Sequence, residues 1–213
     1  MNFVRGFKMK HIIPGIFLFA ILGTAQAGTL EIANSSVVNF NGYDGQPLSI
    51  TGAENAGFWG SLFTTGAGVF SATYLGNESG YVNNFSFGLG STLLESNYLG
   101  NTISQTVGAG TIGFSFSDNA GLGHTFTNGA QQTTTLGFAI LKGQNNKYGN
   151  FQYILGFNDS YKGDADYDDF VVGVNFVSAP VPEPETYAML LAGLGLIGFS
   201  ARRRKNSTSD TFD

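Results

Sequence analysis

Between residues 28 and 180 apolar side chains recur at every second position in short runs, the period of a strand that buries one face. Phe85, Phe87 and Leu89 share a face across Ser86 and Gly88, and Ile112, Phe114 and Phe116 alternate with Gly113, Ser115 and Ser117. Leu136, Phe138 and Ile140 repeat the device, Phe151, Tyr153, Leu155 and Phe157 do so again, and Phe170, Val172, Val174 and Phe176 make the last run. Turn-forming stretches separate these runs: Gly76-Asn77-Glu78-Ser79-Gly80, Asp118-Asn119-Ala120-Gly121 and Gly143-Gln144-Asn145-Asn146. Helix-forming patterns are missing from the same span. The expectation is an all-β domain over residues 28–180, an antiparallel two-sheet sandwich of jelly-roll-like type. The phenylalanines read as its core, because each strand has a face to bury.

The two ends of the chain break this pattern. Lys8 and Lys10 precede an apolar stretch from Ile12 to Leu22, followed by Ala25-Gln26-Ala27, the small-x-small pattern that signal peptidase reads. Residues 1–27 are therefore expected to be a signal peptide, with Gly28 the first mature residue. At the other end, Pro182-Glu183-Pro184 precedes an uncharged run from Tyr187 to Ala201, and Arg202-Arg203-Arg204-Lys205 follows it. The prolines make residues 179–185 an extended, accessible spacer. The run predicts a short transmembrane helix over 187–201; its about 15 residues fall short of the roughly 20 that a comfortable span needs, and snorkelling arginines extend it. The basic cluster orients it with residues 206–213 as a cytoplasmic tail.

This order of parts, from Val181 to Lys205, resembles the PEP-CTERM sorting signal of Gram-negative bacteria. The resemblance implies recognition by an exosortase, with Pro182, Glu183, Pro184, Arg202, Arg203 and Arg204 as the signal. It further implies transient residence in the inner membrane, removal of the tail near Pro182 to Pro184, and delivery to the cell surface or extracellular matrix. The extra residues Asn206 to Asp213 depart from the usual pattern. An ordinary C-terminal anchor that is never cut is the alternative, and an intact tail in the mature protein would reveal it.

Charge narrows the choice of partners. The whole chain carries a formal charge of −5, but residues 28–180 hold eleven carboxylates against Lys142, Lys147 and Lys162, a formal charge of −8. Such a surface argues against nucleic acid and anionic lipid as partners. There is no cysteine, so an exported domain must be held by packing and, in this reading, a bound ion.

The candidate chemistry lies between the last two patterned runs. Asp159, Asp164, Asp166, Asp168 and Asp169 put five carboxylates within eleven residues, with Lys162 the local cation. Close carboxylate pairs repel by a few kcal/mol at an effective dielectric of about 20, so a hard dication is their natural partner. Calcium, with six to eight oxygen ligands in flexible geometry, suits the alternate spacing of Asp164, Asp166 and Asp168, and Gly163 permits a tight turn. The loop is not an EF-hand: Asp169 stands where glycine is required and Asn175 where a bidentate glutamate is expected. A solvated acidic loop that binds nothing is the plainer alternative. The same residues, Gly156-Phe157-Asn158-Asp159 and Gly163-Asp164-Ala165-Asp166-Tyr167-Asp168-Asp169, resemble the GFED…GDxDYND motif of exported bacterial domains of uncharacterised function. Asn158 and Asp168 replace the commoner glutamate and asparagine, keeping an oxygen ligand at both. Residues 72–81 and Asn84-Phe85 resemble another segment of such proteins, and Glu78 within it is one further candidate oxygen donor.

Enzymatic signals are weak. The acids sit in one loop where a glycosidase needs two across a cleft. His124 is the one histidine after residue 27, without a nucleophile-elbow serine or a cysteine near it, and no phosphate-binding glycine loop occurs. Two classes of function remain. The leading one is a non-catalytic, calcium-stabilised surface or biofilm-matrix protein. The other is a carbohydrate-binding module or weak glycan hydrolase acting on exopolysaccharide, for which Trp59, in Gly57-Phe58-Trp59-Gly60, is the candidate stacking residue, although buried packing is the commoner fate of such a side chain.

Overall fold

The computed structural model describes residues 26–40, 56–88, 90–159, 165–181 and 184–207. The signal peptide falls almost wholly outside these residues, as do Leu89, Asp164, Pro182 and Glu183. The described chain forms two compact units, one over Gln26–Val181 and one that includes the C-terminal helix.

The first unit is built of antiparallel strands. In chain order they are β1 (Leu30–Asn39), β2 (Ala56–Thr64), β3 (Gly68–Gly76), β4 (Asn84–Phe87), β5 (Ser91–Leu94), β6 (Thr102–Val107), β7 (Gly110–Thr111), β8 (Phe114–Ser117), β9 (Thr125–Thr127), β10 (Gly137–Lys142), β11 (Asn145–Asn146), β12 (Gly149–Asn150), β13 (Tyr153–Asn158) and β14 (Phe170–Ser178). The larger sheet runs β1-β2-β10-β13-β14-β3-β6, with β7 also on β2; a second sheet runs β5-β4-β8-β9, and β11 and β12 form a small hairpin.

One hydrophobic core lies between the two large sheets. Phe70 of the larger sheet meets Phe87 of the smaller at 5.0 Å, and Phe116 meets Phe138, Phe157 and Phe170 at 5.6, 5.1 and 6.3 Å. Each of these rings is at most 2% exposed, and Leu62, Leu93, Leu155, Val172 and Val174 are buried with them. The period-2 runs are thus core faces, as their spacing predicts.

The alternation understates the burial of the central strands. β10 reads Gly-Phe-Ala-Ile-Leu before its exposed lysine, with every one of those residues buried, and β14 is buried continuously from Phe170 to Val174. A second cluster explains this: Val38, Leu75, Ala139, Leu141, Phe151, Ile154, Ala165, Tyr167 and Val171 pack together, with Phe40, Trp59 and Tyr148 against them. Phe151 belongs to this cluster, although it precedes β13 in the same period-2 run as Leu155 and Phe157 of the first. Strands covered on both faces lose the polar half of their pattern.

In the second unit, α1 runs over Pro184–Ser207. Pro184 opens it, a place where the missing N–H costs nothing. The helix is longer than the expected 187–201, and that expectation needs correction: among the described residues no helix is long and apolar enough to cross a membrane. The polar first turn, the interspersed glycines and the terminal arginines dilute the apolar run.

Candidate functional site

The last residues of β13 and the approach to β14 carry the described acids, Asp159, Asp166, Asp168 and Asp169, at the folded sheet. Asp159 directly follows β13, and residues 165–169 lead into β14, whose pairing with β13 runs from Tyr153 opposite Val174 to Phe157 opposite Phe170. Two features hold the returning segment down. Tyr167 is fully buried at φ +62°, a left-handed backbone uncommon for an aromatic residue, and its hydroxyl accepts the Trp59 indole N–H at 3.0 Å. Gly156 in β13 lies directly beneath it: a Cβ there would stand 2.1 Å from the Tyr167 carbonyl oxygen. Glycine is required here for close approach of two backbones.

Four of the five predicted acids are described, and the fold gathers all four. Asp159, Asp166, Asp168 and Asp169 line one cavity of about 330 Å³ together with Glu78, Ser79, Gly80 and Tyr81 from the loop after β3. Asp159, Asp166 and Asp168 are buried and Asp169 is half-buried. Asp159 is well supplied with hydrogen bonds. Its Oδ2 accepts the Ser79 hydroxyl and, at 2.6 Å, the Asn83 amide, while its backbone N–H donates to Asp169 Oδ2 at 2.8 Å. Asp168 is not: its Oδ2 is buried without a hydrogen-bond partner. Burial pushes the Asp168 carboxyl up to about 9, and contact with Asp166 and the charges of Glu78 and Asp169 push the same way.

Asn83, which precedes β4 and carries no motif, is the residue that sequence reading missed. It is fully buried; its Nδ2 donates to Asp159 and, at 3.2 Å, to the Asp169 carbonyl, and its backbone N–H donates to Glu95 at 2.7 Å. Turning the amide over would set its oxygen against two acceptors, so the assignment follows from its neighbours. Its Oδ1 is then buried and unpartnered. The Glu95 carboxyl is raised by burial, opposed by the Asn83 N–H and reinforced by the charge of Asp159. Among the described residues no three His, Cys, Asp or Glu groups are placed to hold a metal ion by themselves.

Two other places bear on the functional alternatives. Trp59 is half-buried, tied to Tyr167, and lines a separate cavity of about 360 Å³ with Asn34, Ser36, Ser61, Gln131 and Gln132. Gln132 is committed to the backbone of Phe138, accepting its N–H and donating to its carbonyl, each at 2.8 Å. His124 faces Asp118, with Nδ1 3.0 Å from Oδ2, while Asp118 Oδ1 accepts the backbone N–H groups of Ala120 and His124. That arrangement is a turn cap whose carboxylate is already occupied.

In the sorting segment, Ala179 and Pro180 are exposed ahead of α1, and Arg202, Arg203 and Arg204 are exposed on its last turns. No curated protein and no solved structure matches the chain. Residues 180–205 match the PEP-CTERM protein-sorting motif, which implies an exported protein that exosortase sorts at the membrane and that ends on the cell surface or outside the cell.

Proposed function

We propose that this chain is a non-catalytic protein of the cell surface or biofilm matrix, whose β domain is a jelly-roll-like sandwich stabilised by calcium at Asp159, Asp164, Asp166, Asp168 and Asp169. In this reading signal peptidase removes residues 1–27 and exosortase acts on the segment around Pro182, Glu183 and Pro184. The sorting motif at residues 180–205 carries the destination. Support for the ion comes from Asp168, a buried carboxylate with an oxygen left unpartnered among other acids. Burying such a group is unfavourable unless a cation joins it.

A melt of the purified protein in EDTA, in calcium and in magnesium tests the ion. If calcium binds only the folded loop, a hundredfold excess over Kd stabilises by about 2.7 kcal/mol, and Asp164→Ala or Asp166→Ala removes most of that gain. An unchanged midpoint in millimolar calcium removes the ion from this reading. Mass spectrometry of the exported protein tests the sorting step: loss of the tail near Pro184 is expected, and an intact tail means that the signal is not cut there.

A second reading is favoured by Trp59, whose cavity combines an indole with hydroxyl and amide side chains, the groups that stack on and hydrogen-bond to neutral sugars. Binding to exopolysaccharide there would show as selective retention on a glycan array, lost in Trp59→Ala and weakened in Gln131→Ala. Absence of binding to every glycan removes this reading.

A further inference from the structure

We propose that the Trp59 cavity is one half of a longer groove that takes a neutral oligosaccharide, its second half lying beside β9 along the segment 129–134. The inference rests on the Trp59 reading above and extends it from a single sugar to a chain of sugars. Its basis is a second cavity of about 340 Å³, lined by Phe126 and Thr127 of β9 and by Thr133 and Thr134. Ala130, Gln131 and Gln132 line this cavity and that of Trp59 alike, so the two adjoin along one stretch of chain. At about 360 and 340 Å³, each lies near the lower limit of roughly 300 Å³ for a ligand pocket. Side by side they offer room for successive rings.

The linings indicate the class of ligand. Neither contains a charged side chain, although residues 28–180 carry a formal charge of −8. A neutral ligand fits such a groove, whereas an anionic one meets a repulsive field. Each cavity combines a half-buried aromatic ring, Trp59 in one and Phe126 in the other, with exposed amide or hydroxyl side chains: Asn34 and Gln131 in the first, Thr133 and Thr134 in the second. The shared wall is held in place. Gln132 spends both ends of its amide on the backbone of Phe138, and Asn128, just ahead of the segment, donates to the carbonyls of Leu62 and Ile112. In β1 a bulge between Ala33 and Ser36, with Asn34 at φ +52°, marks the place where the strand meets the Trp59 cavity. Gly60 of β2 leaves the space that this bulge needs, since a Cβ there would lie 2.9 Å from the Ala33 carbonyl oxygen. A groove shaped in advance loses little freedom when a chain binds.

The test is a glycan array carrying neutral glycans as disaccharides and as hexasaccharides of the same linkage, with uronic acid oligomers beside them. It is probed with the full chain, with Trp59→Ala, with the double change Thr133→Ala and Thr134→Ala, and with Tyr98→Ala, a residue 90% exposed and outside both linings, as control. Expected is a hexasaccharide held about tenfold more tightly than its disaccharide, equivalent to about 1.4 kcal/mol. The double threonine change should remove most of that advantage and spare the disaccharide, Trp59→Ala should weaken both lengths, and Tyr98→Ala neither. Should Trp59→Ala fail to fold for want of its bond to Tyr167, Gln131→Ala, which lines both cavities, is expected to weaken both lengths in its place. No neutral glycan retained at either length removes the Trp59 reading and this inference with it. Retention that needs Trp59 or Gln131 but is equal for the two lengths, or is unmoved by the threonine changes, overturns the second half of the groove alone. Uronic acid oligomers held more tightly than neutral ones overturn the class of ligand.

Discussion

At the scale of single residues, backbone approach and burial decide more than residue type. Gly156→Ala places a methyl group against the Tyr167 carbonyl, so β13 or the acidic segment must shift. The expected loss is about 1–3 kcal/mol, measurable by urea unfolding. Tyr167→Phe keeps the ring and removes the acceptor of the Trp59 indole, so about 1 kcal/mol should be lost. Asp168→Asn should act in opposite directions according to the ion. In EDTA it replaces a buried acid by a neutral isostere and raises Tm, whereas in calcium it removes a ligand and the calcium-dependent rise shrinks. A Tm lowered in EDTA would show that the carboxyl is not the burden that its surroundings imply. Tyr74 provides a pH prediction away from the loop. Burial, with Glu95 nearby, pushes its hydroxyl up to about 12 from an ordinary value of 10. A raised folded-state value favours the neutral form, so this contribution is whole below pH 10 and is lost as pH rises towards 12. Alkaline unfolding should therefore be delayed in Tyr74→Phe, provided the loss of the hydroxyl's bond to Asn77 is first measured at neutral pH.

At the scale of elements, the links between strands depend on side chains that no periodicity reveals. Asn128 follows β9 and is buried; its Nδ2 donates to the carbonyls of Leu62 and Ile112 at 2.7 and 2.8 Å, and its Oδ1 accepts the Leu62 N–H at 2.9 Å. It joins the end of the smaller sheet to β2 of the larger. Asn128→Ala deprives the Leu62 N–H of its acceptor, while the Leu62 and Ile112 carbonyls keep the N–H groups of Ile112 and Phe114, so a loss of about 1–3 kcal/mol is expected, visible as a lower urea midpoint with an unchanged slope. The aromatic contacts between the sheets act over a wider area. Phe116→Ala should cost about 3–5 kcal/mol, because the ring contacts three phenylalanines of the larger sheet.

At the scale of the whole molecule, the two units answer different needs. Residues 26–181 form a compact unit with their own buried clusters, whereas the helical segment carries the sorting motif. A fragment of residues 28–180 should therefore unfold in a single cooperative transition, with spectroscopic and calorimetric midpoints coinciding. Separate transitions by the two probes would mean that the sheets unfold independently. The high charge of the same span, −8 before any ion binds, should make its stability in EDTA rise with added monovalent salt, since screening relieves repulsion among the acids.

By itself the sequence determined what local pattern and composition can encode. The alternation of Phe114 with Ser115 and of Phe116 with Ser117 specifies extended structure with a core face, and the order of prolines, apolar run and arginines specifies an address, because both signals are read from neighbours along the chain. The clustering of Asp159 with Asp166, Asp168 and Asp169 was legible for the same reason: all stand within eleven residues. Only the tertiary structure decided that β10 and β14 are covered on both faces, that Trp59 is tied to Tyr167, and that Asn83 joins acids some eighty residues away. Those contacts depend on which strands become neighbours. In this fold β3 pairs with β14 across about a hundred residues of chain, and no period or spacing records so distant a pairing.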